Sequence, residues 1–220
     1  MSNCLDSMSW SFLKGLGKKA ADFLHLGDYK NVVLKNGVCV QFRIIGFNHD
    51  KTSDGSFASI SWEMVDCLPN AYPWNRRITN SGSWEKTQIR HRLNDTNCSI
   101  NRLIPNEILN VVTPVIKQTA DVRNGKQCII DTLDSFWIKS EREMCGRSIF
   151  STPVEGTCYE WYRQEDSAWN KLRNGNPEET ILRSPYLFNN DTHFCIVGKR
   201  GNITLHYAHA ELGVAFGFCT

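Results

Sequence analysis

The chain has 220 residues, 41% hydrophobic and 22% charged, with a formal net charge of +2. That length supports one substantial core, the composition excludes a disordered chain, and so small a charge excludes the basic footprint of a nucleic-acid binder. No apolar run reaches the ~18 residues needed to span a bilayer, and the start of the chain lacks the basic-then-apolar order of a secretory signal, so we expect synthesis in a reducing cytoplasm.

From Trp10 to Leu24, apolar residues recur at helical spacing behind a candidate N-cap at Ser9. Gly15 and Gly17 weaken that helix, so it needs something to pack on. Asn31–Leu34 and Val38–Phe47 read as strands joined by the turn Lys35-Asn36-Gly37. Phe57–Val65 alternates, with Ile60, Trp62 and Met64 on one side and Ser59, Ser61 and Glu63 on the other, which predicts a half-buried strand. Asn70–Asn80 is loop-like, and a second helix is expected from a cap at Ser83 to Leu93, with Ile89 and Leu93 buried. Pro105 breaks the Ile100–Leu109 segment, Val111–Thr119 is extended, and Ser135–Ile138 is a brief strand before the capping-box spacing Ser140-Glu141-Arg142-Glu143. Cys158–Thr180 reads as a long ordered insertion. Strands return at Phe194–Val197, Ile203–Tyr207 and Val214–Cys219 around a turn at Gly198–Asn202. Many short strands with two main helices make the class α+β.

The nine cysteines (Cys4, Cys39, Cys67, Cys98, Cys128, Cys145, Cys158, Cys195 and Cys219) are odd in number and widely spaced. We read them as mostly buried thiols. The absence of any CxxC pair argues against zinc. His206 and His209, three apart on a strand, face opposite sides and make poor partners for a metal. His49 and Asp50 follow a strand and are expected to make structural hydrogen bonds. No metal and no cofactor is expected.

The C-terminal region, residues 181–220, alternates between two kinds of position. A rigid frame comprises Leu182-Arg183-Ser184-Pro185, Phe194-Cys195, Val197, Gly201, Ala208, Ala210 and Gly213–Cys219. Between its members stand Tyr186, Phe188, Asn189, Asn190, Thr192, His193, Arg200, Thr204, His206, Tyr207, His209 and Glu211. These are chemically mixed residues without the apolar alternation of a covered strand. Such a mixture of aromatic and adaptable polar groups suits a contact surface on a packed scaffold.

Several motifs along the chain carry a resemblance: Leu26–Lys30, Ile45–Asp50, Trp84 with Leu93-Asn94, Trp137–Glu143, and at the end LRSP, FC-x-V, a glycine turn and GVAFGFC. Together they resemble a C-type-lectin-fold family common in bacteria and their phages. The C-terminal pattern is similar to the variable proteins of diversity-generating retroelements, which include phage tropism determinants. The resemblance implies a single C-type-lectin-like domain over 1–220, with residues 1–80 supplying a helix and strands packed on it. It also implies that adenine-directed mutagenesis rewrites codons in 181–220, turning AAY codons into NNY. Most of the mixed positions carry residues that NNY encodes; Lys199 and Glu211 fall outside that set. On this reading the twelve positions bind a protein or glycan ligand, such as a bacterial surface receptor. The protein would be displayed on a phage tail or a bacterial surface, would bind no nucleic acid and would not span a membrane. The sequence sets no oligomeric state. The alternative is an enzyme resembling the formylglycine-generating oxidases of the same fold class. Their arginine-glycine-glycine-serine frame is replaced here by Leu182-Arg183-Ser184-Pro185. Calcium motifs of sugar-binding lectins are absent, and Asn176-Pro177-Glu178 has the wrong order for one.

Overall fold

The structure, a computed structural model, describes residues 2–123, 126–165, 168–188 and 191–220, with the side chains at 122, 123 and 126 left aside. The expected N-terminal helix forms in pieces. Ser9 Oγ accepts from the Phe12 amide at 3.1 Å and caps α1 (Trp10–Gly15) as expected. Gly17 then takes φ +55°, and a 3-10 turn over Gly17–Lys19 leads into α2 (Ala20–Phe23). The second helix is also divided, into α3 (Ser83–Lys86) and α4 (Gln88–Asn94). Ser83 is not its cap: at φ +50° it turns its hydroxyl to the Ala120 carbonyl, 2.6 Å away. Thr87 takes over as the cap of α4, accepting from the Arg90 amide at 3.3 Å. The remaining helices are α5 (Asn106–Leu109) and α6 (Glu141–Cys145), the latter with the full reciprocal capping box of Ser140 and Glu143.

The strands are β1 (Tyr29–Val33), β2 (Cys39–Phe47), β3 (Ile60–Met64), β4 (Val115–Arg123), β5 (Lys126–Asp134), β6 (Phe136–Trp137), β7 (Lys171–Arg173), β8 (Asn176–Glu178), β9 (Thr180–Pro185), β10 (His193–Val197), β11 (Ile203–Tyr207) and β12 (Gly217–Cys219). The main sheet has the order β1-β2-β3-β12-β6, every pairing antiparallel. A second sheet runs β11-β10-β9, while β4-β5 and β7-β8 are separate hairpins. Short antiparallel sheets with short helices make the class α+β. Segment 111–119 becomes regular only from Val115, and β5 pairs with it from Val115↔Asp134 to Arg123↔Lys126.

The C-terminal strand β12 lies inside the main sheet and joins its two faces. Phe218 stands opposite Trp62 and, with Phe216, Phe42 and Trp10, forms an edge-packed aromatic cluster at 5.0–5.5 Å centroid distances. That face receives α1 and α4 through the buried Leu13, Ile89 and Leu93. On the other face Cys219 packs with Ile45, Trp137, Tyr159 and Leu182. Gly217 lies between these layers, where a Cβ would come within 2.6 Å of the Trp137 ring and the Trp62 carbonyl. Both faces are therefore covered, and β3 is buried at every residue, Ser61 and Glu63 included. This corrects the half-buried strand expected from its alternation: the polar side faces a second, ionic layer and not water.

The thiols also depart from expectation. All nine are free, but only Cys67, Cys195 and Cys219 are buried. Among the described residues no helix is long and apolar enough to cross a membrane.

Candidate functional site

Two regions bear on function: an ionic layer beneath the main sheet, and the C-terminal surface that this layer supports. Asp50 closes β2 into a turn, as expected of a structural residue. It accepts from Ser61 Oγ at 2.6 Å, from Tyr159 OH at 3.0 Å and from Lys117 Nζ at 2.5 Å. Burial opposes its ionisation, but Lys117 overrides this and holds the carboxyl well below the usual range. Lys117 also donates to Glu143 at 3.3 Å and lies over the Trp137 ring at 3.8 Å. Glu143, the last residue of the capping box, forms a bidentate pair with Arg183, one arm of it at 2.9 Å. Burial opposes that charge as well, and Arg183 with Lys117 holds it below the usual value.

Arg183 is the centre of this layer. It is fully buried on β9, and its donors reach Glu143, the carbonyls of Ile138 (2.9 Å) and Gln118 (3.1 Å), and Thr119 Oγ1 (3.2 Å). The planar fork satisfies several acceptors at once, which a lysine could not do. One residue of the frame thus ties the C-terminal sheet to α6, to β4 and to Ile138 just after β6. Beside it Glu155 accepts from the Ala120 amide at 2.9 Å and from Ser184 Oγ, and burial pushes its carboxyl up to about 7. A separate knot surrounds Glu63, which accepts from Lys139, from Tyr162 OH at 2.5 Å and lies 3.3 Å from Lys171 Nζ. Burial holds Lys139 and Lys171 well below the usual lysine range, reinforced at Lys139 by Lys171 and Arg43 and at Lys171 by Arg43.

A cleft of 620 Å³ opens over the first network, between His49, Arg142 and the β4-β5 hairpin. Three carboxylates line it: Asp50 and Glu143, committed to the partners named above, and Asp131, which accepts from Gln118 Nε2 at 3.4 Å. His49 stacks on Tyr159 at 4.1 Å, and burial drives the Tyr159 hydroxyl well above its ordinary range. These groups join parts of the chain that are distant in sequence. Local sequence patterns missed this layer because its partners are far apart: Lys117 and Asp50 are separated by 67 positions, Tyr159 and Asp50 by 109. Only the capping-box spacing and the polar side of β3 hinted at it.

Of the twelve expected contact residues, Asn189 and Asn190 lie outside the described residues. The other ten are exposed or half-buried: Phe188, Arg200, Tyr207, His209 and Glu211 exposed; Tyr186, Thr192, His193, Thr204 and His206 half-buried. The frame is buried throughout except Gly201 and Ala210, which are half-buried. Register explains part of this, since β11 is an edge strand and His193 of β10 is paired with Tyr207 of β11. The His193 and Tyr207 rings are 4.2 Å apart, with His209 5.8 Å and His206 6.3 Å from Tyr207. Tyr186 pairs with Phe188 at 5.8 Å. Partial burial, with His206 nearby, lowers the His193 pKa.

The ten do not form one patch. Arg200 lies in the turn beyond Val197↔Ile203, the opposite end of the hairpin from His193↔Tyr207, roughly 13 Å along the strand. Glu211 lines another hollow, with Tyr72, Arg76, Arg92 and Arg173. The loop that carries Tyr186 and His193 is held from below: Asn80 Nδ2 donates to both of their carbonyls at 2.8 Å.

Residues 53–219 match the sequence profile of a domain of unknown function, DUF6273, and the chain belongs to that family. No curated protein and no solved structure matches the chain.

Proposed function

We propose that this protein is a non-catalytic binding protein of C-type-lectin build that recognises a protein or glycan through its C-terminal face. One observation carries the reading: within a single stretch of chain the frame is packed and the chemically mixed residues are accessible. A fold held by Arg183, Glu143, Phe216 and Phe218 does not depend on what stands at Thr204 or His209. That is the physical requirement for a surface whose residues are to be exchanged, as a diversity-generating retroelement would do. Aromatic groups supply contact area at low entropic cost, so the His193–Tyr207–His209 group and the Tyr186–Phe188 pair are the expected anchors. Arg200 and Glu211, set apart from them, extend the surface for a ligand of macromolecular size.

The oxidase alternative gains no support. Cys195 and Cys219 are buried, and burial pushes both thiols well above their ordinary values, whereas a reactive cysteine needs a lowered one. By the resemblance we assign the protein to a phage tail or a bacterial surface, with a template repeat and reverse-transcriptase gene in the neighbouring DNA.

The test is a screen of the intact protein against a glycan array and whole bacterial cells, followed by a variant carrying Tyr186→Ser, His193→Ser, Tyr207→Ser and His209→Ser. Binding should fall by at least about a hundredfold, as expected when several anchors are removed, with the melting temperature nearly unchanged. Binding that survives the four changes, or maps to the N-terminal strands, refutes the reading.

A further inference from the structure

We propose that His91, Asp95 and Cys98 form a binding site for a divalent metal ion of borderline softness, with Zn2+ as the expected occupant. The imidazole nitrogen, a carboxylate oxygen and the sulfur lie within 4.8 Å of one another, and His91 Nε2 is 3.4 Å from Asp95 Oδ2. Zinc bonds of ~2.0–2.3 Å place tetrahedral ligand atoms roughly 3.3–3.8 Å apart, so closure needs side-chain rotation of about 1 Å and no backbone change. Nitrogen, oxygen and sulfur together suit Zn2+ and exclude Mg2+ or Ca2+, which take oxygen ligands. This proposal is independent of the C-terminal surface.

The chain beneath the three residues is held by hydrogen bonds and by buried neighbours. His91 is on the last turn of α4, and Asp95 caps it, its amide donating to the His91 carbonyl at 2.9 Å. Asp95 Oδ1 accepts from the Asn97 amide at 2.8 Å, which orients the carboxylate, and the Cys98 amide donates to the Asp95 carbonyl at 2.9 Å, which closes the turn. Leu93 and Ile100, on either side, are fully buried, and Asn101 Nδ2 donates to the Leu93 carbonyl at 2.7 Å. Asn94 accepts from the amides of Ser135 and Phe136. Such support is what keeps ligand geometry within the tolerance a metal demands.

The electrostatics also permit a cation. Arg90 is paired with Asp134 at 2.7 Å, and Arg92 donates to Ser99 at 3.4 Å and lies over the Tyr72 ring; the Asp95 carboxylate and a Cys98 thiolate would together offset the double charge of the ion. Among the described residues Cys98 Sγ has no hydrogen-bond partner, so it is available as a ligand. A hollow of 410 Å³ lined by Glu85, Lys86, Thr87, Arg90 and Asn94 opens on His91 and Asp95, which leaves room for water beside those two ligands. On binding, the Cys98 thiol loses its proton to solvent and the thiolate, the neutral imidazole and the carboxylate each donate an electron pair.

Cobalt(II) is the probe, because a tetrahedral thiolate-bound ion shows a sulfur-to-cobalt charge-transfer band and strong visible absorption. The full-length protein, reduced and stripped with EDTA, should develop both at one equivalent, and Zn2+ should bleach them. Cys98→Ser should abolish the charge-transfer band. His91→Ala and Asp95→Asn should each weaken binding by at least the ~10–100-fold that loss of an outer partner of a metal costs. Cys4→Ser and Cys39→Ser, changes at exposed thiols, should leave the titration unchanged. Should Cys98→Ser unfold, as its circular dichroism would reveal, His91→Ala at an exposed side chain decides the matter alone. A chain that gives no band at one equivalent, or keeps it in Cys98→Ser or at full strength in His91→Ala, overturns the proposal.

Discussion

Replacing Glu155 by glutamine should stabilise the protein at alkaline pH and leave it unchanged in acid. Glu155 is fully buried, and burial raises its carboxyl from the ordinary 4.5 to about 7 despite hydrogen bonds from Ser184 and the Ala120 amide. Below pH 4.5 the native and unfolded forms both hold the proton, and the group contributes nothing. Between 4.5 and about 7 the unfolded chain releases a proton that the native chain retains, so native stability falls as pH rises. Above about 7 the loss is complete. Its size follows from the shift, ~3 kcal/mol at ~1.4 kcal/mol per tenfold. Glutamine mimics the protonated acid: its carbonyl can still accept from Ala120 and its amide can donate to Ser184 Oγ. Urea denaturation followed by tryptophan fluorescence, on wild type and Glu155→Gln from pH 4 to 8, isolates the effect as the difference between the two stability curves. That difference should be near zero at pH 4 and should grow to as much as ~3 kcal/mol in favour of the variant by pH 8. A difference that does not change with pH, or a variant less stable at pH 8, would refute the assignment.

Arg183→Met should cost ~3–5 kcal/mol, because it leaves the Glu143 carboxylate buried and short of its main partner; adding Glu143→Gln should recover part of the loss. A cost under about 1 kcal/mol in chemical denaturation would contradict the central role given to Arg183. Phe216→Ala should cost roughly 3–5 kcal/mol, since its ring is packed against Phe42 at 5.5 Å and Phe136 at 5.7 Å. Thr204→Ser or His209→Asn should each shift stability by less than about 0.5 kcal/mol, the norm for accessible positions. Similar losses in the two groups would erase the distinction between scaffold and surface on which the proposed function depends.

What the sequence determined by itself was local. Ser9 as a cap, the Lys35-Asn36-Gly37 turn and the Ser140–Glu143 capping box are legible because their hydrogen bonds join residues a few positions apart, and strand Ile203–Tyr207 because it pairs with the strand just before it in the chain. The division of the C-terminal region into packed and accessible positions was legible too, since burial selects apolar side chains in a way that open surface does not. Helix continuity was misread at Gly17 and at Thr87. In both places a residue's backbone or hydroxyl served a local turn or cap that periodicity does not register. The β5 strand was overlooked although Asn124-Gly125, a common hairpin-turn pair, precedes it in the sequence. Only the tertiary structure decided that the polar side of β3 is buried, that Arg183 links β9 to α6 and β4, and that Arg200 and Glu211 stand apart from the aromatic group. Those arrangements depend on partners tens to more than a hundred positions apart, and a charged residue in a sequence looks the same whether water or a buried counter-charge will solvate it.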